Sequence, residues 1–225
     1  PATNANRRLR DRWWQAKQGR EIREATAGLK RVLLTSQTSK YRSFAFVDGS
    51  WIFDQKAIAF ACPETAFFAI LQSRIHELWA EFFGGTLEDR PVYSPPRCFD
   101  TFPFPERWRS KPELEAAGEA YYGNRLSIMV RNKEGMTKTY NHFHDPEKRD
   151  DPDIASLHEL HAAMDRAVLD AYGWSDIAPD CEFLLEYEID DLADVLGDGN
   201  LGLAAEQFEQ LVLLWRDVDR RGDLL

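Results

Sequence analysis

Residues 93–106, YSPPRCFDTFPFPE, decide how the first part of this chain folds, because they combine four prolines with four aromatic residues. Proline removes a backbone N–H and fixes φ, so the stretch cannot form the interior of a helix or a central strand. We therefore expect an extended, irregular segment that its aromatic side chains pin to the rest of the fold. Those side chains are Tyr93, Phe99, Phe102 and Phe104.

The composition predicts a packed protein, since 44% of the 225 residues are hydrophobic and 12% are aromatic. The three cysteines are few, odd in number and unclustered, which favours a reduced, cytoplasmic protein and disfavours a cysteine-ligated zinc site. No apolar run has the length needed to span a bilayer, so we expect no membrane partner. The chain begins at Pro1 without a methionine, and we expect it to be a piece of a longer protein.

The charge is distributed unevenly. Residues 1–112 hold 18 Lys+Arg against 12 Asp+Glu, a net charge of +6, whereas residues 113–225 hold 10 against 26, a net charge of −16. Only the first part is therefore suited to a polyanion such as nucleic acid. Alternatively, the charge follows solvent-exposed helix surfaces and identifies no partner.

The segments before residue 93 mix strand and helix patterns. RVLLTSQ (31–37) and YRSFAFV (41–47) read as strands, and DGS (48–50) is a hairpin signal ahead of WIFDQKAIAFA (51–61). Pro63 and Glu64 then mark the start of one helix over residues 64–83, which Gly84 and Gly85 stop.

From residue 113 onward the pattern is helical and acidic. Residues 153–174 form an amphipathic helix that ends at Gly173, and residues 205–221 form a second clear helix. We therefore predict an α+β fold in which a mixed α/β domain, residues 1–112, precedes an all-helical domain, residues 113–225.

The segment TSKYRSF (38–44) is the first candidate binding site. Lys40, Tyr41 and Arg42 enter a predicted strand and would suit contacts to phosphate groups from an exposed edge. The alternative is an ordinary edge strand protected by its charges. Farther along, LQSRIHELW (71–79) carries Arg74 and His76, which the pattern alone explains equally well as a surface ion pair and a surface histidine.

The loop GGTLEDRPVYSPPR (84–97) is the second candidate. It supplies a mixed set of donors and acceptors on a backbone stiffened by prolines: Glu88, Asp89, Arg90, Tyr93, Ser94 and Arg97. Arginine reads guanine through two parallel hydrogen bonds, and acidic groups accept from cytosine N4. A stiff loop needs little further ordering on binding, which favours base reading. The alternative is a linker held to the core by Phe99 and Phe102.

Four histidines raise a metal-dependent alternative. His142, His144, His158 and His161 include an H-x-H pair and a helical i,i+3 pair. The usual helical zinc signature has a wider histidine spacing around its glutamate, so we predict no metal site here. No phosphate-binding glycine loop and no nucleophile elbow are present in the sequence, and we expect no catalytic residues.

In order along the chain, five motifs together resemble a known protein family: RWWQ (12–15), VLLTSQTSKYRSFAFVDGS (32–50), FFAILQSRIHELW (67–79), CFDTFPFPE (98–106) and LHELHAAMDRAVLDAYGW (157–174). The first four are similar to the target-recognition region of type IIG restriction–modification enzymes and adenine-specific DNA methyltransferases. The fifth is similar to the helical C-terminal domain that follows that region.

The resemblance implies sequence-specific recognition of double-stranded DNA on behalf of an N6-adenine methyltransferase, in the same chain or a separate one. Its cofactor, S-adenosylmethionine, would belong to the longer parent, since the cofactor loop and catalytic motif of that family are not found here. The resemblance assigns base reading to the loop 84–97 and backbone contacts to a basic set: Arg31, Lys40, Tyr41, Arg42, Arg74 and His76. Two rival functions remain, a metal-dependent hydrolase and a protein-interaction module.

Overall fold

Strand β1 (Arg31–Ser36) is the centre of a three-stranded antiparallel sheet in which β2 (Phe44–Asp48) and β3 (Ala57–Phe60) lie on its two sides. The computed structural model describes residues 19–87 and 90–175. Helix α1 (Gly19–Thr26) precedes the sheet. The sheet is followed by helices α2 (Thr65–Gln72) and α3 (Arg74–Phe83), strands β4 (Gly85–Leu87) and β5 (Arg90–Val92), and helices α4 (Pro112–Asn132), α5 (Met136–Phe143) and α6 (Pro152–Tyr172).

The sheet order corrects the predicted hairpin after β2. Asp48 does form the expected turn, with its Oδ1 accepting from the Ser50 N–H at 2.8 Å. However, β2 and β3 each pair with β1, and Leu33 of β1 lies opposite both Phe46 and Phe60. The chain after the turn therefore crosses to the far side of β1. Local turn chemistry indicates where a strand ends, but it does not determine which strand will be the neighbour.

The helix predicted over residues 64–83 is wrong in one respect, because Ser73 divides it into α2 and α3. Ser73 adopts an extended ψ of 154°, and its hydroxyl accepts from the His76 N–H at the start of α3. In α3, Phe82 is 65% exposed, although the predicted apolar face included it. The predicted stop is confirmed: Gly84 caps α3, and a Cβ there would lie 2.3 Å from the Ala80 carbonyl oxygen.

The helices after residue 112 share a core with the sheet. A cluster of buried hydrophobic side chains runs from Leu33 in β1 to Leu169 in α6. Helix α4 lies close to the start of α2, where the Glu115 carboxylate accepts from the backbone N–H groups of Thr65 and Ala66 at 3.1 and 2.6 Å. The fold is α+β as predicted, and α4 begins at Pro112, where the charge changes sign.

Arg125 of α4 joins the helices to the sheet. Its guanidinium donates to Gln72 Oε1 at 3.1 Å, to the Tyr140 hydroxyl at 2.9 Å and to the Phe44 carbonyl oxygen at 2.6 Å. The side chain is 2% exposed, so a buried cation is held by partners from β2, α2 and α5. Among the described helices, none is long and apolar enough to cross a membrane.

Candidate nucleic-acid interface

The proline-rich segment is anchored as its aromatic content predicts. Tyr93, Phe102 and Trp108 are buried, and the Phe67 and Phe104 rings stack with their centroids 5.5 Å apart. One detail differs from the predicted irregular chain, since Pro95–Phe99 form a single π-helical turn. The two prolines occupy its first positions, where the missing N–H groups cost nothing.

Backbone pairing brings the two predicted binding segments together. Thr38 forms an isolated antiparallel bridge with Val92, and the Gln37 carbonyl oxygen accepts from the Tyr93 N–H at 2.8 Å. Lys40 lies two residues after Thr38, and Arg90 lies two residues before Val92. In an antiparallel register both therefore extend toward the same end of this contact.

The segments joined by this pairing carry four exposed basic residues, which we name the basic rim: Lys40, Lys56, Arg90 and Arg97. Lys56 was not predicted from the sequence. Its carbonyl oxygen accepts from the Gln37 N–H at 2.8 Å, which places its backbone beside the same segment. This proximity comes from strand pairing over nineteen residues of sequence separation, so no local spacing pattern could have revealed it.

The arginines of the basic rim have no partner among the described residues. Within the described residues, no hydrogen bond or ion pair engages the guanidinium of Arg90 or Arg97. Arg97 in particular is not paired with Asp100. Both side chains are therefore candidates for contact with a ligand.

Burial corrects three of the predicted DNA contacts. Tyr93 and His76 are 0% exposed, and Arg42 is 6% exposed. The Tyr93 hydroxyl lies 3.0 Å from His76 Nε2, and the Arg42 guanidinium lies 5.1 Å from the centre of the Tyr93 ring. These three side chains form an inner layer behind the basic rim and cannot touch DNA in this conformation. The hydrophobic periodicity of the strand and the helix did not reveal this burial of polar residues.

Arg31 and Tyr41 are partly exposed, and their side chains form hydrogen bonds within the protein. Arg31 donates to the Pro63 carbonyl oxygen at 2.9 Å and to Thr65 Oγ1 at 2.8 Å. The Tyr41 hydroxyl donates to Asn141 Oδ1 at 3.0 Å. DNA contacts by Arg31, Tyr41, Arg74 and Ser94 stay predictions. Glu88 and Asp89 lie outside the described residues.

A cluster of titratable groups lies where α3 meets α6. The Arg74 N–H donates to Asp165 Oδ1 at 2.9 Å, and Asp165 Oδ2 lies 3.0 Å from His161 Nδ1. Burial, and then the nearby Glu81 carboxylate, raise the pKa of Glu77 to about 7. This cluster therefore lies at the contact between a helix of residues 1–112 and a helix of residues 113–225.

The four histidines of the hydrolase alternative have separate contacts. His142 faces Glu134 at 3.5 Å, His144 stacks on Tyr41 at 4.4 Å, and His158 Nε2 lies 2.9 Å from the Phe143 carbonyl oxygen. His161 belongs to the α3–α6 cluster. The described part of the chain brings no three histidine, cysteine or acidic groups into a metal-binding arrangement.

Comparison with known proteins finds a similarity in the first part of the chain. Residues 3–106 match the family model described as "MmeI, target recognition domain". A solved structure of the type IIL restriction–modification enzyme MmeI in complex with DNA is similar, at 24% sequence identity and a TM-score of 0.52. The match covers 75% of this chain and 21% of that one, so the chain spans about a fifth of that protein's length. No curated protein matches the chain.

These findings confirm the resemblance to a restriction–modification target-recognition region, although the solved relative is type IIL and the motifs resembled type IIG. The match ends at residue 106, so the proline-rich anchor closes the matched region. Residues 3–106 of this chain are therefore similar to the MmeI target recognition domain.

Proposed function

We propose that this chain recognises a specific base-pair sequence in double-stranded DNA on behalf of an N6-adenine DNA methyltransferase. One observation supports this most directly. Within a region that matches the model of the MmeI target recognition domain, two exposed arginines, Arg90 and Arg97, flank a buried anchor and have no partner among the described residues. An exposed guanidinium next to a buried residue, with its N–H donors unused by the described residues, is suited to donate hydrogen bonds to a ligand.

Arg90 and Arg97 are the base readers in this proposal. Each can donate two parallel hydrogen bonds to guanine O6 and N7 in the major groove, a contact worth about 1–3 kcal/mol of discrimination. The π-helical turn and strand β5 limit the positions that these side chains can sample, so little ordering remains to be done on binding. Glu88, Asp89 and Ser94, from the same loop, complete the proposed reading set.

Lys40 and Lys56 are the phosphate contacts. Both are exposed lysines at the edge of the sheet, and a lysine acts on phosphate as a point charge without base preference. They would set the position of the duplex relative to the arginines. Arg42 is left out of this set because its guanidinium is buried.

The methyl transfer itself belongs elsewhere in this proposal. S-adenosylmethionine and the catalytic residues would be supplied by another part of a longer chain or by a separate methyltransferase subunit. In this proposal, duplex DNA is the partner of the present residues, and they act in the cytoplasm. We expect the chain alone to transfer no methyl group to DNA in the presence of S-adenosylmethionine.

Selection from a pool of random duplexes tests the proposal. The tagged chain should enrich one short motif over successive rounds, and Arg90→Ala or Arg97→Ala should relax the motif at one base pair. Arg149→Ala is the matched control, since Arg149 is an exposed arginine in the acidic helical part. A pool that remains random with the unaltered chain would contradict sequence-specific recognition.

A further inference from the structure

We infer that Tyr93 is a positioning residue that joins the two binding segments, holding Arg90 and Arg97 at fixed positions relative to Lys40. The inference rests on the proposed function and deepens it. It also replaces the direct DNA contact that the sequence predicted for Tyr93. We name residues 90–99 the recognition loop.

Tyr93 lies between the two arginines in sequence and is wholly buried. Strand β5 ends one residue before it, and the π-helical turn begins two residues after it. Its N–H donates to the Gln37 carbonyl oxygen, which ties the same residue to the segment that carries Lys40. Displacement of the Tyr93 ring would therefore displace both halves of the recognition loop.

His76 of α3 fixes the hydroxyl of Tyr93. His76 Nδ1 lies 2.9 Å from the Leu71 carbonyl oxygen, and a carbonyl only accepts, so Nδ1 carries the proton. Nε2 is then an acceptor, and the Tyr93 hydroxyl donates to it at 3.0 Å. Burial lowers the pKa of His76 to about 3, with a further contribution from the Arg42 charge, so the ring stays neutral and keeps this acceptor at neutral pH.

Arg42 holds the ring from the Lys40 side. Its guanidinium lies 5.1 Å from the Tyr93 ring centre, within the range of a cation–π contact. In the described part of the structure, its buried Nε and Nη1 atoms have no hydrogen-bond acceptor. The ring is therefore the specific contact of this cation, while the carboxylates of Glu77 and Glu81 supply only longer-range attraction.

Because of these contacts, removing the phenolic oxygen of Tyr93 tests whether its hydrogen bond to His76 holds the recognition loop. Tyr93→Phe keeps the ring, its packing and the cation–π contact, but it removes the donor to His76 and leaves Nε2 buried without a partner. The recognition loop would then be held by packing alone. We expect its arginines to sample more positions and to discriminate bases less well.

The experiment compares Tyr93→Phe with Tyr121→Phe. Tyr121 is also 0% exposed, and its hydroxyl lies 2.9 Å from the Tyr140 hydroxyl in the helical part. Each variant deletes one buried phenol oxygen, so both should lose similar stability. Two properties are measured on the full chain. The first is amide hydrogen exchange at Arg97 and Cys98, whose N–H groups donate to the Ser94 carbonyl oxygen at 2.9 and 2.7 Å. The second is the affinity ratio between the selected duplex and one altered at a single base pair.

We expect Tyr93→Phe to speed exchange at Arg97 and Cys98 about fivefold or more and to lower the affinity ratio by a similar factor. Tyr121→Phe should change neither property at a comparable loss of Tm. Unchanged exchange in the loop, an unchanged ratio, or equal changes in both variants would each overturn the positioning role. If the unaltered chain shows no base preference, the proposed function fails, whereas exchange at Arg97 and Cys98 separately decides whether Tyr93 holds the loop.

Discussion

The basic rim and the contact around Arg125 use the same residue type in opposite ways. Arg125 is buried and donates to three acceptors from three different elements. Arg90 and Arg97 are exposed, and within the described residues their guanidinium groups have no acceptor. A buried guanidinium with its donors satisfied maintains a fold, whereas an exposed one with its donors unused is available to a ligand.

Arg42 lies between these two cases. It is buried like Arg125, but two of its nitrogen atoms lack an acceptor in the described structure, and burial lowers its pKa below the usual range. It is therefore neither a saturated structural bridge nor a surface contact. Its place in the inner layer suits a residue that positions others.

The largest expected effect comes from breaking the Arg125 contact. Arg125→Met keeps much of the side-chain length but removes the guanidinium donor from the Phe44 carbonyl oxygen, the Tyr140 hydroxyl oxygen and Gln72 Oε1, of which Gln72 Oε1 keeps the Phe44 N–H. We expect a loss of about 3–5 kcal/mol of unfolding free energy, or a fall of roughly 10 °C in Tm. Thermal unfolding by circular dichroism measures it. Arg149→Met is the surface control, and a fall no larger than in this control would contradict the bridging role.

The α3–α6 cluster should make stability depend on pH. The folded pKa of Glu77 is raised to about 7 by burial and by Glu81. A raised carboxyl pKa contributes stability below the unfolded value of about 4.3, and this contribution is lost as pH rises toward 7. Glu77→Gln mimics the protonated acid, so we expect it to raise Tm by roughly 2–6 °C at pH 8 and to change little at pH 5.

Scanning calorimetry at the two pH values checks this prediction, with the exposed Glu119→Gln as the matched control. The buried His76 acts in the opposite direction. Its pKa is lowered to about 3, so its contribution is present above the unfolded value of about 6.5 and is lost as pH falls toward 3. Equal Tm changes for Glu77→Gln at pH 5 and pH 8 would show that Glu77 does not titrate in this window.

The smallest expected effect concerns the phosphate contacts. Lys40→Ala should weaken binding to all duplexes about equally and reduce the slope of log K against log salt by about one unit. Lys148, an exposed lysine in the helical part, provides the control Lys148→Ala, which should leave the slope unchanged. Fluorescence anisotropy over a salt series measures both variants. A changed base preference in Lys40→Ala would reassign Lys40 from the phosphates to the bases.

The sequence was sufficient to predict strands β1 and β2, helix α6 and the proline-rich anchor, because these depend on local chemistry. It did not predict the short strands β4 and β5 within the loop 84–97, and the helix predicted over residues 205–221 lies outside the described residues. Gly173 ends α6 with a φ of +82°, and the aromatic residues of the anchor are buried or packed on the core, as their spacing indicates. It was not sufficient for pairing between distant segments. The bridge from Thr38 to Val92 and the strand order around β1 depend on contacts that no local pattern encodes.

In the candidate site, the sequence was also not sufficient to predict which polar side chains are buried. Arg42, His76 and Tyr93 are polar residues in positions typical of surface contacts, yet the fold buries all three. Their contacts with one another make burial possible: the Tyr93 hydroxyl is hydrogen-bonded to His76, and the Arg42 guanidinium lies over the Tyr93 ring. Sequence alone identified the residues of the inner layer but did not predict that they are buried.

The most direct test of base reading is the affinity of the chain for two duplexes, the selected site and the same site with one G·C pair replaced by A·T. We expect the unaltered chain to prefer the selected site by roughly 10- to 100-fold, and Arg97→Lys or Arg90→Lys to lose most of this preference while keeping its affinity for nonspecific DNA. Lysine keeps the charge but not the paired donors, so this outcome would separate base reading from general attraction to DNA. Equal affinity of the unaltered chain for both duplexes at every G·C pair of the site would contradict the account.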